Sequence, residues 1–129
     1  MATLKISDLS VGDWVQDKNG IYAKVIGMEN WSNGYFLNIE LHGVNVGVTP
    51  LNSAHPIPIT AEILEKNGFD RLLECDLFYH SESGLEVAFE DGEWMHTINL
   101  HEYTIHTISG VHHIQHLLRL YGCDKEINL

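Results

Sequence analysis

The chain has 129 residues, 44% of them apolar, with 18 acidic against 7 basic side chains and a net charge of −11 when histidine is neutral. That length suits one domain or two small lobes, and the apolar fraction supplies a core. The charge excludes nucleic acid as a default partner, because affinity for a phosphate backbone comes from Lys and Arg, which are not clustered here.

In chain order, residues 5–15 read as a first strand with a turn at Gly12-Asp13, and Asp17-Lys18-Asn19-Gly20 forms a second turn. Ile21 to Met28 is rich in β-branched and aromatic residues and predicts a strand, closed by a turn at Ser32-Asn33-Gly34. Tyr35, Leu37, Ile39 and Leu41 alternate with Phe36, Asn38 and Glu40, so one face of this strand is buried. His42-Gly43 turns the chain again, and Val44, Val46 and Val48 alternate in the next strand. Strands this short, joined by tight turns, predict a small SH3-like β-barrel over residues 1–55.

All three prolines fall within 50–58, which marks a connector between lobes. Thr60 is placed to cap a short helix, with Ile59 and Leu64 as a hydrophobic staple and Gly68 as its stop. Strand character returns over 69–108: Leu77-Phe78-Tyr79, then Leu85 to Phe89, an Asp91-Gly92 hairpin, Trp94 to Leu100, and Tyr103 to Ile108. Ser109 is placed to cap a terminal helix that Gly122 ends. Its apolar stripe is Val111, Ile114, Leu117, Leu118 and Tyr121. The fold class is therefore α+β: an N-terminal barrel lobe over 1–55, then an α+β lobe over 56–129 with a helix, a small antiparallel sheet and a C-terminal helix.

Met1 to Trp14 has no apolar signal core, and no apolar run approaches the ~20 residues that span a bilayer. A soluble, cytoplasmic protein with no membrane association is expected. Cys75 and Cys123 share no short spacing and read as reduced thiols.

Histidine is the compositional anomaly, with nine in the chain. His112 and His116 lie four apart on the terminal helix, the spacing of two imidazoles on one divalent ion. The residue beside His112 is His113, where a zincin carries Glu, and no downstream ligand is obvious except Asp124 or Cys123. The pair also projects opposite the apolar stripe, towards solvent. No metal and no cofactor are expected; His112 and His116 are the candidates if there is one. The carboxylates Glu82, Glu86, Glu90, Asp91 and Glu93 read as solvated turns and strand edges. Ser81 and Ser83 lack a nucleophile elbow, and the glycines match no phosphate loop. No catalytic residue is assigned. Trp31, in a turn-like stretch, is the tryptophan expected to be exposed and to mark an interaction patch.

Pro56-Ile-Pro-Ile-Thr-Ala-Glu-Ile-Leu-Glu-Lys-Asn-Gly-Phe69 resembles a segment of short uncharacterised proteins from gut-bacterial phages, prophages and mobile elements. There Pro-Ile-x-Leu-Thr, a Leu, and x-x-Gly-Phe precede a small sheet. The run from Ile108 to Leu118 resembles their closing Val-His-x-Leu-Gln-x-Leu helix, and Leu9 to Val15 fits their usual start. His112 falls on that pattern; His113 and His116 depart from it, and Ile114 stands where Leu is usual. The resemblance implies phage or mobile-element origin and carries no activity. Together these features point to a non-enzymatic protein-interaction protein with a protein partner, and homo-oligomerisation is compatible with them. The alternatives are an acidic decoy or inhibitor of a basic host protein, and a metal-dependent enzyme that uses the C-terminal histidines.

Overall fold

The structure, a computed structural model, describes residues 4–72, 76–97 and 104–129; at Thr97 and over 104–106 it describes the backbone. Cys75, the middle of the expected 94–108 strands and the His106 side chain therefore lie outside the described residues. The chain divides into two compact units, Met1–Ile57 and Pro58–Leu129. The fold is α+β, with one antiparallel sheet in each unit.

The first unit holds β1 (Trp14–Gln16), β2 (Tyr22–Trp31), β3 (Gly34–Leu41) and β4 (Val44–Pro50), in the order β1-β2-β3-β4. The strand expected over 5–15 is confined to its last residues. Ile6–Asp8 is a 3₁₀ turn instead, closed by Asp8 N–H on Lys5 O, in a stretch whose short polar side chains compete with extended backbone. Asp13 is fully buried and its carboxylate accepts from Ser10 N–H, which fixes the Gly12-Asp13 turn. The core gathers Leu4, Leu9, Val15, Val25, Leu37 and Ala54, the inward positions of the alternation together with the flanking segments.

The expected barrel is not closed. Closure needs the first strand to pair with the last. Here β1 has three residues, and its outer edge bonds the connector: Gln16 and His55 exchange backbone bonds of 2.9 and 2.8 Å. β4 is left as the opposite rim. Its register explains why Val48 is outside, while a bulge between Ile39 and Glu40 leaves Val46 unpaired and sets Val44 opposite Leu41. Leu37 pairs with Thr49 and Ile39 with Gly47, so Thr49 and Gly47 occupy the inward positions and Val48, opposite Asn38, does not.

The second unit runs α1 (Ala61–Lys66), β5 (Phe69–Arg71), β6 (Leu77–His80), β7 (Leu85–Glu90), β8 (Glu93–Thr97), β9 (Thr104–Ile108) and α2 (Val111–Leu120), with the strands ordered as in sequence. Thr60 caps α1 through its hydroxyl, which accepts Ile63 N–H at 3.1 Å, and Ile59 and Leu64 are both buried. Two hairpins turn through paired positive φ values, His42-Gly43 at 50° and 79° and Asp91-Gly92 at 52° and 79°, the geometry that matches strand twist.

The terminal helix departs from expectation in two ways. Its N-cap is Gly110, and Ser109 instead donates its N–H to the His113 ring nitrogen. Its buried face comprises Val111, His112, Ile114, Gln115 and Leu118. At ~100° per residue this arc is turned by roughly 80° from the apolar stripe. Leu117 becomes half-buried and Tyr121 exposed, while His112 is brought fully inside.

Candidate functional site

Two surfaces stand out, one in each unit. In the first unit the rim strand β4 exposes Val44, Val46 and Val48 at 61, 50 and 45%. Trp31 ends β2 half exposed, its ring 4.8 Å from Phe36 and its indole N–H 3.4 Å from Glu29. Of the twelve large apolar side chains exposed among the described residues, nine belong to this unit. It carries 5 acidic against 3 basic residues, whereas the second unit carries 13 against 4. Apolar surface and negative charge are thus held on different units. Within β4 the Gly47 N–H is bonded to Asn45 Oδ1 at 2.9 Å, so the edge is interrupted at that residue.

In the second unit a concave pocket of about 350 Å³ lies between the end of α1, the β6–β7 turn and the C-terminal tail. Three local devices aim side chains into it. α2 ends in a Schellman motif: Cys123 N–H bonds Leu118 O at 2.8 Å and Gly122 N–H bonds Arg119 O at 3.0 Å, with Gly122 at φ 85°. The motif turns Cys123 inward, where it is buried. The tail is then held by Asn67 at the C-cap of α1, whose amide donates to Asn128 O at 2.8 Å and accepts from Asn128 N–H at 2.7 Å. The β6–β7 turn, closed by Gly84 N–H on His80 O at 2.7 Å, presents His80 and Glu82.

His80 is 5% exposed. Its Nδ1 accepts from Ser83 N–H at 3.2 Å and lies 2.7 Å from Ser83 Oγ, which itself accepts from Leu85 N–H. In the neutral ring this places the proton on Nε2. Burial pushes the imidazole below its ordinary value of 6.5, against the upward pull of Glu82 and Asp70 and with help from Lys125. Lys125 donates to Glu82 at 2.8 Å and holds that carboxyl below its ordinary range, while Glu82 raises Lys125 in return. One ligand atom from each of His80, Glu82 and Cys123 lies within 4.8 Å of the other two, the group of this kind among the described residues.

The histidines singled out in sequence are placed differently. His112 does not face solvent: it is fully buried, because the inward face is rotated to take in His112 and Gln115 beside Val111, Ile114 and Leu118 of the stripe. His116 is half-buried, with its ring centroid 6.1 Å from that of His112. The carboxylates divide: Glu82, Glu90, Asp91 and Glu93 are exposed as expected of turns, but Glu86 is 4% exposed on β7. His80, Glu82 and Cys123 as a group escaped sequence reasoning because 43 residues separate the cysteine from the histidine. The available signal was the Gly122-Cys123 pair ending a helix, which predicts an inward side chain after the cap.

Comparisons with protein-family models, with curated proteins and with solved structures found no match. No helix among the described residues is long and apolar enough to cross a membrane.

Proposed function

We propose that this is a non-enzymatic protein-interaction protein whose docking surface is the β4 rim of the N-terminal unit. The observation that carries the reading is the exposure of Val44, Val46 and Val48 on a rim strand, where a bulge at Val46 interrupts the pairing with β3. Apolar side chains concentrated on a surface in this way mark a protein contact. The half-exposed Trp31 adds an aromatic of the kind that anchors interfaces. A chain of net charge −11 repels its own copies, so the partner is a different protein with a neutral or basic face. Origin in a phage or mobile element rests on the sequence resemblance, and a bacterial cytoplasm is the setting that goes with it.

The test compares affinity capture by the wild-type chain with capture by a Val44→Glu/Val48→Glu double variant. A partner retained by the first and lost by the second, with thermal stability unchanged, supports the reading. Equal capture by both contradicts it. A wild-type dimer in solution that the double variant disperses contradicts the choice of partner.

A second reading, a decoy for a basic protein, is favoured by the concentration of 13 acidic residues against 4 basic ones in residues 58–129. It requires binding that weakens steeply with salt and that survives the β4 substitutions.

A further inference from the structure

We propose that His80, Glu82 and Cys123 form a binding site for one divalent ion of the zinc class, with a fourth position open to the pocket. The donor set is one imidazole nitrogen, one carboxylate oxygen and one sulfur, which suits zinc among the biological divalent ions. Three protein ligands with room for a fourth is the arrangement of an open site rather than a closed structural one. The thiolate and the carboxylate together supply two negative charges, which match the ion.

The geometry needs little rearrangement. Around tetrahedral zinc the ligand atoms stand roughly 3.3–3.8 Å apart, given bond lengths of about 2.0–2.3 Å. Here the three lie within 4.8 Å of one another before any ion is added. His80 and Cys123 are buried and set by the hairpin and the Schellman motif, so Glu82, the exposed member, makes the adjustment. Its ion pair with Lys125 competes weakly, since the two side chains are 54% and 73% exposed.

Proton bookkeeping also closes. His80 Nε2 lies on the Gly68 side, where a Cβ added to Gly68 would sit 3.5 Å away. For Nε2 to ligate, its proton is carried on Nδ1 and donated to Ser83 Oγ, 2.7 Å away, which has a lone pair for it beside the Leu85 N–H. The longer contact from Ser83 N–H is given up. The Cys123 thiol proton is released to solvent as the Cys–metal bond forms. The hydroxyl becomes the partner that orients a metal-bound imidazole.

The test titrates the chelator-stripped full-length chain with Co²⁺ as an optical stand-in, followed by displacement with Zn²⁺. The expected result is one equivalent bound with a thiolate-to-cobalt charge-transfer band, and that band lost in Cys123→Ser. Glu82→Gln, a change at an exposed turn, keeps the band and weakens binding by about 10-fold. His116→Ala changes neither. No band in the wild type, a band that persists in Cys123→Ser, or an unchanged affinity in Glu82→Gln would each overturn the proposal. Loss of binding in His116→Ala would do the same, moving the ion to α2. The β4 substitutions leave this titration untouched, so it fails or succeeds independently of partner docking.

Discussion

Leu118 and His80 are the residues on which the second unit turns. Leu118 is 3% exposed, lines the pocket and gives its carbonyl to Cys123. Leu118→Ala should cost about 2–5 kcal/mol in a denaturant melt, and the half-buried Leu117→Ala clearly less. The apolar stripe read from sequence does not separate these two; the rotation of the buried face does, and periodicity alone cannot reveal that rotation when His112 and Gln115 lie within it. His80 makes a pH prediction. Its folded pKa lies below 6.5 because burial disfavours the charged ring. Above pH 6.5 both states hold it neutral and the fold keeps its full stability. As pH falls below 6.5 the unfolded chain takes the proton first, so stability is lost progressively down to the folded pKa. In the metal-free protein an NMR titration should place the His80 midpoint below 6.5; a midpoint at or above that value contradicts the assignment.

At the scale of elements, ends and turns were more legible than faces. The Thr60 cap, the Gly68 stop and the Asp91-Gly92 hairpin stand where their side chains demand, because each is decided by a few neighbouring atoms. Thr60→Ala should destabilise by about 1 kcal/mol, read as a shift of the urea midpoint. Ser109 misled because the cap position fell one residue later, on Gly110, whose extended backbone starts the helix without a side-chain bond. The barrel expected from four short strands failed for a non-local reason. A strand of three residues bonded to His55 has little edge left to close on, and that pairing leaves no mark in the alternation. Asn67 is the clearest tertiary clamp. Asn67→Ala removes both bonds to Asn128, and protease sensitivity should rise within 123–129 ahead of global unfolding.

For the whole molecule the organising fact is the division of surface chemistry between two units, apolar exposure on Met1–Ile57 and acidity on Pro58–Leu129. Net charge was legible from composition. Its distribution is legible too, once the boundary is known, but which apolar positions face outward required the register of β3 on β4. The candidate metal group was the least legible part, because a hairpin turn and a helix end meet only in the folded unit. The charge also predicts behaviour in acid. Burial pushes His80 below its ordinary value, so this ring gains charge only at the cost of the fold. Acid-driven self-association should therefore track loss of tertiary structure when light scattering and near-ultraviolet circular dichroism are followed together. Association well before any loss of circular dichroism would instead assign it to surface charge. The central claim is that a different protein docks on the β4 rim, and site-specific photo-cross-linking tests it most directly. A photoreactive residue at Val46 should capture the partner in high yield and the same residue at Glu93, on the acidic hairpin, should not. Capture at Glu93 with none at Val46 would contradict the account.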